Sequence, residues 1–393
     1  MKTAYFARDI ESRVLSAARQ LPAVLVTGAR QAGKSTLLRH LFPKYRYVNL
    51  DDPQLRALGT SDPALLLSTN PPPVIIDEIQ YAPQLLPHIK MRIDAHRRDA
   101  GQYLLTGSQV FQLMQGISET LAGRIAVFNL YPFSWKELAR VPGRDKATDD
   151  VGMAKQLVAG FYPEQLVVPD LDSDLWYGSY IATYLERDIR NIRRVGDLGL
   201  FQKFVALLAT RAGSLLNLSE VAKECGVTQP TARAWLTILE ATYLVYLLKP
   251  YHANVAKRTI KAPKLYFIDT GLLCYLLGID SAARFFKAAE RGGIFENMVV
   301  IEALKRSAAG KGKTDFFYYR TSNGLEVDLI IEHGGQRRAY EIKLSKTVST
   351  HDAGGLVRAR KDIGYSRASV LCLREEPVAL AKDIFARHWS SLD

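Results

Sequence analysis

The chain has 393 residues, 48% of them apolar, which predicts globular packing in two or three domains and excludes one ordinary core. A formal net charge of +12 favours partners that carry negative charge, with nucleic acid first among them. A basic surface that serves only solubility is the alternative interpretation.

The cysteines and the first residues bear on the compartment. Cys225, Cys274 and Cys372 are isolated, without CxxC or Cys-His spacing, so disulfides and structural zinc are not expected and a reducing compartment fits. The chain starts without the apolar core of a signal peptide, and no window approaches the about 18 uninterrupted apolar residues of a membrane helix. We therefore expect a cytoplasmic protein with no membrane contact.

A phosphate-binding loop follows the first predicted strand. After a predicted helix over residues 10–18, an apolar run leads into Gly28–Ser35, which matches GxxxxGK[ST], and a helical run follows from Thr36. Glycines let backbone N–H groups wrap a β-phosphate, and the helix N-terminus adds positive charge. We expect Lys34 to reach the β- and γ-phosphates and Ser35 to bind Mg²⁺. The residues predicted to bind the nucleotide are Gly28, Ala29, Arg30, Gln31, Ala32, Gly33, Lys34, Ser35, Thr36 and Ser108.

Two further strands end in polar side chains. The apolar run over residues 73–76 ends in Asp77 and Glu78, the pattern called Walker B. Asp77 is predicted to hold the Mg²⁺ shell and Glu78 to polarise the attacking water, which indicates hydrolysis beyond binding. The next strand ends at Ser108 and Gln109, either of which could sense the γ-phosphate, and an ordinary polar strand exit is the alternative.

The order of these elements, followed by Arg124, resembles the AAA-type ATPases. In that group an arginine near this place reaches the nucleotide of the neighbouring subunit. The resemblance makes Arg124 the arginine-finger candidate, between a predicted helix over residues 111–123 and a strand that opens at Ile125. A guanidinium supplied in trans accelerates hydrolysis by roughly 10³ to 10⁵. The resemblance also implies a homo-oligomer, as a ring or partial ring. The alternative for Arg124 is a surface arginine paired with a carboxylate.

A helical region follows the α/β ATPase domain, which is predicted over residues 1–140 with a mostly parallel sheet. Within a second domain over residues 141–280, Leu218 to Thr228 and then Gln229 to Glu240 are typical of a helix-turn-helix. Two predicted strands, over residues 243–251 and 264–268 with a tip between them, complete a resemblance to a winged helix.

The cations of this module predict contact with DNA that is not sequence-specific. The second helix offers Gln229, Thr231 and Arg233 but is otherwise apolar, so its capacity to read bases is small. The tip is rich in cations, which suit phosphates. A winged helix used only for packing is the alternative. The DNA-contact candidates are Arg233, Lys257, Arg258, Lys261 and Lys264.

Four residues of a third domain, over residues 281–393, predict a second site. A hairpin turn at His333-Gly334-Gly335 brings Asp328 and Glu341 side by side on neighbouring strands. These carboxylates can bind Mg²⁺, with Lys343 stabilising charge at a scissile phosphate and Glu296 of the preceding helix completing the set. The set resembles the PD-(D/E)xK nuclease core, and a charged solvent face is the alternative.

Short motifs along nearly the whole chain are similar to those of the prokaryotic AAA-type ATPases with a C-terminal domain of unknown function. They include residues 28–35, 77–78, 105–108, 121–124, 131–134, 184–188, 267–272 and 324–328. The resemblance implies ATP as the nucleotide and a restriction-endonuclease-like α/β fold at the end of the chain. One departure is Phe161, which stands where the group has the second glycine of a Gly-Gly-aromatic-Pro-Glu signature.

Three functions are compatible with these patterns. The leading hypothesis is an ATP- and Mg²⁺-dependent ATPase that binds DNA and remodels it or translocates on it as an oligomer. The second is an ATP-gated, metal-dependent nuclease that uses Asp328, Glu341 and Lys343. The third is a signalling or scaffold ATPase that acts through protein partners, because a fold alone does not fix a function.

Overall fold

The computed structural model describes residues 5–108, 116–117, 119–141, 149–168, 170–184, 197–252 and 262–392. The predicted roles of Gln109, Lys257, Arg258 and Lys261 fall outside these residues, as does most of the predicted helix over 111–123. The chain divides into two compact units. The first is Met1–Pro142 with Tyr162–Val167 and Ala241–Tyr243, and the second is Gly143–Phe161, Val168–Glu240 and Leu244–Asp393.

Two β-sheets account for the named strands of the described chain. In the first unit, five parallel strands run in the order β2-β3-β4-β1-β5. In the second, eight strands run in the order β12-β13-β11-β10-β9-β8-β6-β7. The strands are Ala23–Gly28 (β1), Arg46–Asn49 (β2), Val74–Asp77 (β3), Tyr103–Gly107 (β4), Ile125–Leu130 (β5), Val245–Pro250 (β6), Lys264–Phe267 (β7), Thr314–Arg320 (β8), Glu326–His333 (β9), Gln336–Ile342 (β10), Arg367–Cys372 (β11), Val378–Ala381 (β12) and Ile384–His388 (β13).

Helices lie between and beside these strands. They are Glu11–Ala18 (α1), Lys34–Leu41 (α2), Pro53–Ser61 (α3), Pro63–Thr69 (α4), Leu85–Ala95 (α5), Trp135–Leu138 (α6), Asp150–Ala159 (α7), Pro163–Val167 (α8), Ser173–Tyr184 (α9), Leu198–Ala209 (α10), Leu218–Cys225 (α11), Gln229–Ala241 (α12), Thr270–Leu276 (α13), Ala282–Lys287 (α14), Arg291–Ala309 (α15) and Gly354–Ile363 (α16). Within the described residues, no helix is both long and apolar enough to cross a membrane.

The parallel sheet of the first unit positions the phosphate loop. Strand β1 lies between β4 and β5 and all of its residues are buried, which explains its apolar run. Because the strands are parallel, the carboxyl ends of β1, β3 and β4 meet at one edge of the sheet, where open α/β sheets bind ligands. The predicted α/β fold with a parallel sheet is confirmed for this part of the chain.

The second unit contains the elements predicted as a helix-turn-helix and a strand pair. Gly226 ends α11 in a left-handed conformation, with a φ of 85°. Trp235 of α12 packs against Phe201 and Phe204 with ring centroids 5.1 and 5.4 Å apart, so the apolar face of α12 is core, as expected. Strand β6 pairs in parallel with β8, so β6 and β7 belong to the C-terminal sheet. The predicted boundary at residue 280 therefore falls inside one compact unit.

Candidate functional site

The loop between β1 and α2 has the backbone geometry of a phosphate cradle. Gly28 and Gly33 have φ values of 139° and 92°, which favour glycine. A Cβ added at Gly28 would lie 2.0 Å from the carbonyl oxygen of Leu130 in β5, so the close packing of β5 also requires glycine there. Helix α2 begins at Lys34, and its first N–H groups have no partner within the helix. These features fit the phosphates of a nucleotide.

Lys34 lies inside this loop. Lys34 is only 5% exposed, and its Nζ donates to the carbonyl oxygens of Gly28 at 3.2 Å and Ala29 at 2.9 Å. The ammonium group is therefore held beside the cradle, as expected for a residue that binds the β- and γ-phosphates.

Ser35 of the phosphate loop and Asp77 at the end of β3, the two residues predicted to bind the Mg²⁺ of the nucleotide, are brought together. Ser35 Oγ donates to Asp77 Oδ1 at 2.8 Å, and the hydroxyl of Thr106 donates to the same oxygen. Tyr47 OH donates to Asp77 Oδ2 at 2.5 Å. A carboxylate and a hydroxyl fit the preference of Mg²⁺ for few protein ligands, all of them oxygens.

Tyr47 and Thr106 were missed in the sequence. Both lie on the strands that flank β3, Tyr47 on β2 and Thr106 on β4. Only the order of the strands in the sheet, which places them beside Asp77, could have identified them. Burial and the hydrogen bond to Asp77 raise the pKa of Tyr47, so its hydroxyl stays protonated and orients the carboxylate.

Glu78 is held in an uncommon conformation at the same edge of the sheet. Its φ is 56° and its ψ is 47°, a left-handed geometry that is costly for a residue with a Cβ. Its N–H donates to Thr106 Oγ1 at 3.0 Å. Its Oε2 accepts from Ser108 Oγ at 3.2 Å and from the amide nitrogen of Gln80, which also lies 3.2 Å from Ser108 Oγ. The predicted sensor Ser108 therefore contacts the predicted catalytic carboxylate.

Arg8 fixes the phosphate loop from a position that the sequence did not single out. This buried side chain donates to the carbonyl oxygens of Ala32 at 3.0 Å and Tyr131 at 2.7 Å. Its Nε is 3.1 Å from Glu137 Oε1, and its guanidinium lies 4.3 Å from the ring centre of Phe133. A buried arginine with these partners connects the loop to the motif at residues 131–134.

Arg124 lies at the amino ends of the strands, opposite the edge that carries the phosphate loop. It directly precedes β5, which has six residues, so about 20 Å of strand separates it from the edge that carries the phosphate loop. Its Nε and Nη2 donate to the two carboxylate oxygens of Asp94 at 2.7 and 3.1 Å, and this pairing lowers the pKa of Asp94. Arg124 is therefore remote from the predicted nucleotide site of its own chain, and its ion pair with Asp94 is the one that the alternative of a surface arginine expects.

Gly160, the residue before the departure at Phe161, is required by close packing. A Cβ added at Gly160 would lie 2.0 Å from Tyr177 OH and 2.5 Å from Asp269 Oδ1. Asp269, which is 1% exposed, accepts from the N–H of Phe161 at 2.7 Å, from Tyr177 OH at 2.6 Å and from the N–H of Leu272 at 3.0 Å. Two motifs that are distant in sequence thus form one hydrogen-bonded group.

The C-terminal site consists of four carboxylates, which we call the carboxylate cluster: Glu296, Glu326, Asp328 and Glu341. Lys264 lies among them with its side chain 3% exposed. Its Nζ is 2.6 Å from Glu326 Oε1, 3.0 Å from Glu296 Oε1 and 3.4 Å from Asp328 Oδ1. The prediction of Lys264 as a DNA contact is wrong, because this buried and ion-paired ammonium is not available to a phosphate.

Burial and mutual repulsion perturb the carboxylate cluster. Burial, reinforced by Asp328, raises the pKa of Glu296 to about 7 and that of Glu341 to about 7. Tyr266 OH donates to Glu296 Oε1 at 2.7 Å, and Lys343 Nζ lies 2.8 Å from Glu341 Oε1. The four residues predicted for a nuclease-like site therefore do come together. They are Glu296 on α15, Asp328 on β9, Glu341 on β10 and Lys343 directly after β10.

The carboxylate oxygens of this cluster are not arranged to bind a metal ion. Asp328 Oδ1 faces Lys264, and Asp328 Oδ2 accepts from the N–H of Ile342 at 2.9 Å. Glu341 Oε2 is buried without a hydrogen-bond partner, but it is a single oxygen. With Lys264 in place, no group of three carboxylate, histidine or cysteine side chains among the described residues is arranged to hold a metal ion.

Comparisons with known families divide the chain into three parts. Residues 20–139 match the family described as an AAA domain. Residues 152–283 and 291–391 match two families described as domains of unknown function, DUF8612 and DUF4143.

Similar proteins extend over nearly the whole chain. The uncharacterized proteins Mb2031c of Mycobacterium bovis and Rv2008c of Mycobacterium tuberculosis are each 30% identical over 380 residues, which is 96% of this chain and 82% of theirs. A solved structure, the Walker-type ATPase paby2304 of Pyrococcus abyssi, is 17% identical with a TM-score of 0.48, over 70% of this chain and 96% of that one. The chain therefore belongs to the P-loop ATPase family that contains Rv2008c, and in this chain the AAA domain precedes two domains of unknown function.

Proposed function

We propose that this protein hydrolyses ATP and uses the energy, as an oligomer, to remodel DNA or to translocate on it. One observation carries the hydrolytic part. The carboxylate of Glu78 is held by Ser108 and Gln80 directly after Asp77, at the same edge of the sheet as Lys34. A site that only bound the nucleotide would not need a positioned carboxylate next to the metal ligand.

Each residue of the candidate site has a distinct role in this proposal. When ATP and Mg²⁺ are bound, the γ-phosphorus is the electrophile and the metal offsets the developing negative charge. Lys34 and the loop N–H groups hold the phosphates, while Ser35 and Asp77 supply oxygens to the metal. Glu78 orients a water molecule and accepts its proton, and Ser108 orients Glu78.

The position of Arg124 supports action between subunits. An arginine this far from its own phosphate loop can reach a nucleotide only in a neighbouring chain. The pairing with Asp94 is exposed enough to exchange for a phosphate, since the side chains are 20% and 38% exposed. Assembly into a ring or partial ring then activates hydrolysis.

Two features of the second unit support a nucleic-acid partner. Helices α11 and α12 with β6 and β7 have the order of a winged helix, and Arg233 of α12 is exposed. On the second sheet, three arginines line an open groove of about 290 Å³ with the partly exposed ring of Phe385. They are Arg338, Arg367 and Arg387. Asp383 also lines the groove, but its carboxylate pairs with Arg360 at 3.2 Å, and no carboxylate of the described residues pairs with the three arginines.

A nuclease-like domain that does not cleave nucleic acid is better supported than an active nuclease. Helix α15 and the sequence of strands β8, β9 and β10 are compatible with the proposed nuclease-like fold. However, the oxygens that would hold a metal are engaged by Lys264 and by a backbone N–H. We therefore propose that this domain grips nucleic acid without cutting it.

The test is the steady-state ATPase rate with Mg²⁺, alone and with single-stranded, duplex and four-way branched DNA, while the same DNAs are checked for cleavage. We expect one DNA form to raise the rate of the natural protein. Glu78→Gln and Arg124→Ala should both abolish the stimulated rate, and no DNA should be cut. An unchanged rate with every DNA, together with no salt-sensitive binding, would contradict the DNA part and favour a signalling ATPase with protein partners.

A further inference from the structure

The carboxylate cluster contains a cation that belongs to the chain itself. Lys264 of β7 reaches three carboxylates on two other elements: Glu296 on α15, and Glu326 and Asp328 on β9. Its side chain is 3% exposed, so solvent does not compete for the ammonium group. A charge this deeply buried is maintained only by such partners.

Further cations compensate the remaining negative charge. Lys343 pairs with Glu341 at 2.8 Å, and Arg320 pairs with Glu326 at 3.3 Å. With Lys264, three cations therefore contact four carboxylates. This leaves little uncompensated charge to attract a divalent ion.

We propose that the ammonium group of Lys264 is the permanent cation of the carboxylate cluster, that it takes the place of a divalent metal ion, and that this domain cleaves no phosphodiester. An ammonium group compensates charge as a metal does, but it has no open coordination position and cannot activate a water molecule. Its role is to tie β7 to α15 and β9. This inference does not depend on the proposed ATPase function.

The sequence alone could not reveal this arrangement. Lys264 is 32 residues from Glu296 and 64 residues from Asp328, and it precedes every residue of the nuclease-like pattern. The nuclease-like spacing of Asp328, Glu341 and Lys343 is intact, so a motif search finds an active site. The replacement of the metal becomes visible only when the folded sheet brings the side chain of Lys264, on β7, to the carboxylates of α15 and β9.

The experiment counts Mn²⁺ ions bound to the full chain without nucleotide, by electron paramagnetic resonance. Four proteins are compared: the natural chain, Asp328→Asn, Lys264→Met, and the double variant. We expect the natural chain and Asp328→Asn to bind the same number of Mn²⁺ ions. Lys264→Met should gain one site per chain, and the double variant should lose it again. Any Mn²⁺ at the phosphate loop is common to all four and cancels.

Two results would overturn the proposal. One is a Mn²⁺ ion on the natural chain that Asp328→Asn removes, or Mn²⁺-dependent nicking of plasmid DNA that the same substitution abolishes. The other is a folded Lys264→Met variant, verified by circular dichroism, that gains no site. If Lys264→Met does not fold, the comparison of the natural chain with Asp328→Asn still decides whether the cluster holds a metal.

Discussion

At the scale of single residues, Glu78 shows how backbone conformation and chemistry are coupled. A left-handed conformation costs a residue other than glycine about 1 to 3 kcal/mol. The hydrogen bond from its N–H to Thr106 offsets part of this cost, and its side chain accepts a hydrogen bond from Ser108. Backbone strain of this kind is concentrated at functional sites, so the conformation itself supports a catalytic role.

Replacing Glu78 by glutamine should separate binding from hydrolysis. Glutamine keeps the size and hydrogen bonds of the side chain but cannot accept a proton, so we expect the ATPase rate to fall by about 10² to 10⁴. Binding of a fluorescent ATP analogue should stay within a factor of a few. Glu119→Gln, at an exposed position of the same unit, is the control and should change neither quantity. Equal rates for both variants would contradict the role of Glu78.

Tyr47→Phe should weaken the metal site without touching a metal ligand. The tyrosine hydroxyl donates to Asp77 Oδ2, and loss of such a supporting hydrogen bond typically costs about 10- to 100-fold in metal affinity. We expect the Mg²⁺ concentration for half-maximal ATPase rate to rise by about this factor. Tyr45→Phe is the matched control, because Tyr45 packs against Phe42 and not against Asp77. A Mg²⁺ dependence that is the same in both variants would exclude the role assigned to Tyr47.

At the scale of elements, periodicity and turn residues predicted much of the structure. Strand β1 before the phosphate loop, strand β3 before Glu78, and the hairpin of β9 and β10 lie where the sequence predicts them. The reason is that apolar runs and the Gly334-Gly335 turn are local signals. The positions of Arg8 and Asp269 could not be predicted in this way. Their partners at Glu137 and Phe161 are more than a hundred residues away, and no local pattern encodes such a contact.

Asp269→Ala tests the group that joins α13 to the end of α7. The substitution leaves the N–H groups of Phe161 and Leu272 without their acceptor in a buried position, and each such donor costs about 1 to 3 kcal/mol. Tyr177 OH loses its shorter hydrogen bond and keeps the carbonyl oxygen of Ala159, at 3.1 Å, as its acceptor. We expect the free energy of unfolding of the second unit to fall by roughly 3 kcal/mol or more, measured by urea denaturation.

The control for this prediction is Asp280→Ala. Asp280 makes an exposed ion pair with Arg284 at 3.3 Å, and exposed pairs contribute about 0 to 1 kcal/mol. If both substitutions lower the stability by the same small amount, the buried hydrogen bonds of Asp269 do not have the importance we assign to them.

At the scale of the whole molecule, strand pairing between distant segments decides what the sites can do. The parallel pairing of β6 with β8 brings Lys264 into the carboxylate cluster, and it occurs between segments that sequence patterns assigned to different domains. Likewise, the parallel pairing of β10 with β11 and of β11 with β13 places three arginines on one sheet face. Their sequence positions share no motif, so only the sheet order shows that they form one surface.

If this surface holds a nucleic-acid backbone, its charge should govern the salt dependence of binding. Arg338 is paired in register with Arg367, and Arg387 lies one strand further on. Replacing all three with glutamine should weaken DNA binding, and the slope of log K against log salt concentration should fall by about 0.7 to 0.9 for each phosphate that is no longer neutralised. The control removes the same charge from the first unit, at the exposed residues Lys44, Arg97 and Arg98. Non-specific attraction to the net positive charge would change both slopes equally, whereas a binding groove changes only the first, because only there do the cations touch phosphates directly.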